Sequence, residues 1–168
     1  REISNGRGNL SFTSINLPRL AIEADGKVDL FLDGLGDMMN AVMKQLLDRF
    51  DVQCRRKARN FPFLMEQGVW LDSEKLAPDD EVGNVLRHGT LSIGFIGLAE
   101  ALKALTGKHH GESDISQELG LYIIRYMRVF CDRKSRELGL NVTLLATPAE
   151  SLAGRFVKLD RARYGSIP

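Results

Sequence analysis

Little in this chain marks a specialised class. It holds only two cysteines in 168 residues, too few for a disulfide framework, and that usage points to a reducing cytoplasm. A formal net charge of +1 gives no excess of one sign, so neither nucleic acid nor an anionic membrane surface is expected as a partner. No apolar run approaches the length of a bilayer span, and Arg1 does not open a signal peptide. An initiator Met is lacking too, and the chain is expected to be a piece of something larger. The three histidines are His88, His109 and His110; no cysteine or carboxylate joins them at a ligand-like spacing, so they read as solvated and no metal site is expected. What remains is ordinary for a globular chain, 43% hydrophobic and 27% charged, and long enough for a single domain over residues 1–168 with a full core.

Residues Arg1–Gly8 carry loop signals at Asn5-Gly6 and Gly8. Leu10 and Phe12 alternate with polar neighbours, predicting a strand near 9–17 that Pro18 ends. Asn9 and Asn16 are polar residues in an apolar setting; such an amide bonds nearby backbone or holds a substrate hydroxyl. After Asp25-Gly26 a long helix is predicted near 27–58. Its stripe is Phe31, Leu35, Met38, Val42, Leu46 and Phe50, widened by Leu30, Met39, Met43 and Leu47. The methionines read as core filler. The basic run Arg55-Arg56-Lys57 near its end suits the negative end of the helix dipole. Asn60–Gly83 reads as an irregular connection whose Phe61, Phe63 and Trp70 pack it onto the body.

A second strand is predicted near 90–94, then a helix near 95–106 with Gly107 beyond its end. Gly94 and Gly97 permit a turn or close backbone approach but do not make a dinucleotide fingerprint. A helix near 114–138 carries Ile115, Leu119, Ile123, Met127 and Phe130 as its buried stripe, with Ser113 as cap and Gly139 as terminator. Cys54 and Cys131 read as helix-face residues. A third strand near 141–146 feeds a helix near 148–158. This order predicts an α/β fold of βα units with parallel strands and helices packed outside.

Between that last strand and helix stands Thr147-Pro148-Ala149-Glu150-Ser151. Thr147 suits an N-cap, Pro148 the first helical position, and Glu150 the position that completes a capping box. The open N–H groups at such a helix mouth favour an anion, usually phosphate. A plain capping box binds nothing, and Glu150 brings negative charge close to where a phosphate would sit. In parallel α/β folds, however, ligands gather at the carboxyl ends of strands, where Thr147 and the Gly94 region belong.

Three blocks carry a resemblance. Gly6-Arg7-Gly8-Asn9-Leu10 with Ile15-Asn16-Leu17-Pro18-Arg19 is the first, and Thr90-Leu91-Ser92-Ile93-Gly94-Phe95-Ile96-Gly97-Leu98 the second. The third is Thr147-Pro148-Ala149-Glu150-Ser151-Leu152 with Leu159-Asp160 and Tyr164-Gly165. In this order they resemble the catalytic barrel of the anaerobic (class III) ribonucleoside-triphosphate reductases. The resemblance implies that the chain is an interior portion of a ten-stranded α/β barrel. It implies reduction of ribonucleoside triphosphates to 2′-deoxy forms by thiyl and glycyl radical chemistry, with formate as reductant. It also implies a zinc site outside this chain, a radical-SAM activating enzyme as partner and a homodimeric parent. Asn9 matches the family's active-site asparagine facing the ribose. Thr147, Ala149, Glu150 and Ser151 match the turn that holds substrate phosphates, largely through backbone N–H groups. Ser92 and Gly94 match a strand lining the barrel.

The radical cysteine would lie upstream of Arg1, and the glycyl-radical motif is absent, so the piece alone is expected to be inactive and to bind no cofactor itself. The alternative is a non-catalytic phosphate- or nucleotide-binding α/β module. A third reading, an interaction module built on the Met-rich helix, requires that helix's apolar stripe to be exposed.

Overall fold

The computed structural model describes residues 6–166; the part of the expected loop over 1–5 lies outside the described residues. The elements run β1 (Asn9–Asn16), α1 (Leu17–Ala24), α2 (Val28–Cys54), α3 (Gly83–Leu86), β2 (Thr90–Ile96), α4 (Leu98–Thr106), α5 (Asp114–Leu138), β3 (Asn141–Ala146) and α6 (Glu150–Tyr164). The strands form one three-stranded parallel sheet in the order β1-β2-β3. Helical segments join each strand to the next, as parallel pairing requires. Two compact units are distinguished. The first takes the described residues through Thr13, then Ala41–Ile93 and Phe130–Thr143; the second takes Ser14–Asn40, Gly94–Val129 and the residues from Leu144 on.

In the first unit the long connection after α2 is ordered by one aromatic anchor. Trp70 is 7% exposed and its indole N–H donates to the Val85 carbonyl at 2.7 Å. A Cβ on Gly8 would stand 3.1 Å from its ring, so Gly8 is glycine because Trp70 lies against it. Leu71 N–H donates to Gly6 O at 2.8 Å, and Gly6 takes φ +73°, a conformation glycine adopts without strain. Thus the Gly-Arg-Gly segment before Asn9 is clamped from the connection. Phe63, expected to help, is 63% exposed; it lies in a short π-helical turn, Pro62–Glu66, whose buried residue is Met65.

In the second unit Asn16 turns β1 directly into α1. Its side chain accepts from Arg19 N–H at 3.3 Å, and Pro18 sits in the first helical turn. The strand therefore ends one residue before the expected 17. Pro18, read only as the end of pairing, also helps start an unexpected helix. Asp25 closes α1 in the left-handed region, and Gly107 closes α4 with its N–H on Lys103 O.

The core faces of the long helices differ from expectation by one position. On α2 the buried residues are Phe31, Leu35, Met39, Val42, Met43, Leu46 and Phe50, while Met38 is 40% and Leu30 52% exposed. The stripe passes through Met39, four residues after Leu35, because the helix turns about 100° per residue. On α5 the buried face is Ser116, Ile123, Met127, Phe130 and Cys131, and Ile115 is 75% exposed. Burial of the α2 stripe removes the observation that an interaction module on this helix needed.

Asp72 holds a left-handed φ of 64°. It accepts from Lys75 at 2.7 Å and pairs with His88 at 2.8 Å. The hydrogen bond from Lys75, then that from His88, holds its carboxyl below the usual carboxylate range. A depressed carboxyl adds stability above its unfolded-state pKa that is lost as pH falls through its folded value. In Asp72→Asn, which tolerates the same φ, the stability deficit against wild type is expected at neutral pH and should close in acid. Urea unfolding at both pH values measures it; a deficit that does not change with pH contradicts the pairing.

Candidate functional site

The second unit brings the carboxyl-terminal residues of all three strands together. Ser14 Oγ and Thr147 Oγ1 lie 2.7 Å apart, from residues 133 positions apart in sequence. They belong to the flanking strand β1 and to the residue just after the flanking strand β3, with β2 between. The hydroxyls meet because β2 presents Gly94: a Cβ there would lie 2.4 Å from Thr147 Oγ1 and 2.7 Å from Ser14 Oγ. Glycine inside a strand marks close approach, and here the approaching groups are two side-chain hydroxyls. One turn on, Gly97 holds φ +81° and its Cβ would stand 2.4 Å from Pro18 Cγ. Both glycines of the second block are thus required by packing.

This arrangement corrects the expected capping box. Thr147 N–H still donates to Phe95 O at 3.1 Å, so Thr147 continues the sheet rather than capping the helix. Helix α6 begins only at Glu150, with Ala149 at its N-cap (φ −147°, ψ 76°) and no side-chain cap bond. Glu150 is accordingly the first helical residue and not the third, where its carboxylate would reach back to the cap. The first intrahelical bond runs from Ala153 N–H to Ala149 O. The N–H groups of Glu150, Ser151 and Leu152 therefore have no partner within the helix. They lie at the positive end of a helix of 15 residues.

Asp160 anchors that helix. It is 4% exposed and accepts from Asn16 Nδ2 at 2.7 Å and from Arg19 Nε at 2.7 Å. A second guanidinium nitrogen lies 2.6 Å from the same oxygen that Nε bonds. A carboxylate buried this deeply is stable only when paired and hydrogen-bonded, and here both oxygens are satisfied from the β1–α1 joint. Asn16 is thus a cap and a tether, not a free amide for a ligand. One turn further on α6 is held by Tyr164, which donates to Glu23; burial first, then that bond, raises the phenol's pKa. Between α1, α4 and α6 lies a cavity of about 390 Å³ lined by Ile96, Lys103, Phe156, Val157 and Arg161, among others.

Of the site residues expected from sequence, Thr147 and Gly94 meet directly, and Ala149, Glu150 and Ser151 follow Thr147 at the helix mouth. Asn9 opens β1 in the first unit and is exposed; Ser92 also belongs to the first unit, where its hydroxyl lies 3.1 Å from Thr143 Oγ1. Ser92 and Gly94 share one face of β2, being two residues apart. Sequence reasoning missed Ser14, Arg19 and Asp160. The mid-strand Gly94 was the one signal that something approached there. Among the described residues no group of three or more His, Cys, Asp or Glu is placed to hold a metal. The two cysteines lie on α2 and α5; burial, then Asp51, raises the Cys54 thiol.

The family model for anaerobic ribonucleoside-triphosphate reductase matches residues 1–168. The chain is 34% identical to the enzyme of that name from Escherichia coli over 170 residues, covering 99% of this chain and 24% of the relative. It is 30% identical to that of Enterobacteria phage T4, covering 99% and 26%. The chain thus spans about a quarter of the length of the curated relatives it matches. Among solved structures it resembles the Thermotoga maritima anaerobic ribonucleotide reductase with citrate in the active site, with a TM-score of 0.73 at 20% identity, covering 96% of this chain and 28% of that one. The same enzyme in complex with dATP and CTP gives 0.75 at 21%, covering 96% and 25%. At these identities the structural likeness speaks for the fold.

The Gly94 contact is directly testable. In Gly94→Ala the added methyl meets both hydroxyls and, at 3.2 Å, the Ser14 Cα, so the flanking strands must shift. A loss of about 1–3 kcal/mol in urea unfolding is expected. A change within about 0.5 kcal/mol, as at an unconstrained surface site, would show that the space is not needed.

Proposed function

The chain belongs to the family of anaerobic ribonucleoside-triphosphate reductases, and on that premise we propose that it supplies the part of a catalytic barrel that receives the substrate's triphosphate. The observation that carries this reading is the uncapped start of α6. Thr147 is retained by the sheet, and the N–H groups of Glu150, Ser151 and Leu152 that follow it have no partner within the helix. Oriented amides and a helix dipole favour an anion without needing a cation. Glu150 contributes its backbone N–H, and its exposed carboxylate turns to solvent when the anion is bound. A neighbour of the same fold holds citrate in its active site, and another form holds dATP and CTP; anionic ligands of this kind match the donor set.

The rest of the cycle follows from the family. Asn9 orients the ribose through its amide, and Ser92 and Gly94 line the interior of a ten-stranded barrel to which these strands contribute. The parent reduces ribonucleoside triphosphates to their 2′-deoxy forms, with formate as reductant. When present, its glycyl radical, generated by a radical-SAM activating enzyme, supplies a thiyl radical for the ribose. Neither cysteine here fits that role, since Cys131 is buried on α5 and Cys54 closes α2, and no radical step is assigned to this chain. The parent's zinc site likewise lies outside this chain, and the parent is a homodimer. What these residues do is bind, align and exclude water, the effects that convert a diffusing sugar into a positioned one.

Titration of the isotope-labelled protein with CTP tests the reading. The amide resonances of Ala149, Glu150 and Ser151 are expected to shift together and saturably; spectra in which they stay fixed while others move would overturn it.

A further inference from the structure

We propose that Ser14 is a positioning residue for the triphosphate, acting through Thr147; this rests on the phosphate reading above and adds to it a residue outside the strand-to-helix turn. Each hydroxyl has one hydrogen to donate and two lone pairs to accept with. The 2.7 Å contact between Ser14 Oγ and Thr147 Oγ1 uses one hydrogen and leaves one. If Thr147 donates to Ser14, the remaining hydrogen is on β1, away from the helix mouth. If Ser14 donates to Thr147, it is on Thr147, three residues before the first open N–H group of α6. Phosphate only accepts, so a bound phosphate selects the second arrangement, in which Ser14 donates to Thr147 and Thr147 donates to the anion.

Among the described residues the two hydroxyls bond each other. The Thr147 N–H is already committed to Phe95 O, and Gly94 offers no side chain between the two hydroxyls. The pair therefore holds the Thr147 side chain in one rotamer before ligand arrives, which reduces the ordering cost of binding. It also polarises the outward O–H, because linked hydroxyls strengthen one another. Ser14 lies within β1, where no turn motif would reveal it.

A thermodynamic cycle on the full-length protein decides this, with CTP and inorganic tripolyphosphate as probes in calorimetric titration. Ser14→Ala and Thr147→Val are each expected to weaken both probes by about three- to tenfold, the worth of one preorganised hydrogen bond. The double variant should bind no more weakly than Thr147→Val alone, because Ser14 acts only through its partner. Ser14→Thr, which keeps a hydroxyl, should recover most of the loss, and it remains an arbiter if Ser14→Ala unfolds. Wild-type affinity in Ser14→Ala overturns the proposal. So does an undiminished Ser14 effect in the Thr147→Val background, or a loss seen with CTP and not with tripolyphosphate. If wild type binds neither probe, the phosphate reading itself fails, and that result appears before any substitution is made.

Discussion

One missing side chain governs the site. With no Cβ at Gly94 the hydroxyls of Ser14 and Thr147 close to 2.7 Å, and Thr147 stays part of the sheet. That commitment delays the helix to Glu150. A delayed helix has no side-chain cap, and an uncapped helix presents its first N–H groups to whatever occupies the space in front of them. The open N–H groups of the turn are therefore a consequence of strand packing at Gly94.

The second constraint is the buried carboxylate of Asp160. Burying a charge is unfavourable unless each oxygen finds a donor, and the donors here are Asn16 and Arg19. The Asn-Leu-Pro-Arg segment thus does three things in four residues. It ends β1, caps α1 and fixes α6 from its buried side. The tether sits at Asp160, ten residues beyond Glu150, and so fixes the carboxyl-terminal part of α6. Sequence blocks that resemble a catalytic family need not all touch substrate; this one holds a neighbouring helix in place.

Local rules made much of the fold legible. The bounds 114–138 for α5 and 141–146 for β3 follow from apolar period and flanking glycines, and Gly107 ends α4 as its position suggests. What escaped was decided by contacts distant in sequence. Thr-Pro-x-Glu satisfies every local condition for a capping box, yet the Phe95 carbonyl competes for Thr147 and wins. Ser14 could not be singled out, because its partner lies 133 residues away. Leu30, Met38 and Ile115 were misplaced since an apolar residue one step off the stripe is indistinguishable by composition from one on it; helical rotation alone puts it outside. Family resemblance implies a phosphate-holding turn, and the structure supplies open N–H groups there.

The most direct measurement is a crystal structure of the protein with inorganic tripolyphosphate. The account predicts a terminal phosphate whose oxygens accept from the N–H groups of Glu150 and Ser151 and from the Thr147 hydroxyl, with Ser14 still bonded behind it. Density for the anion beside Lys103 and Arg161 instead, with the start of α6 unengaged, would contradict it.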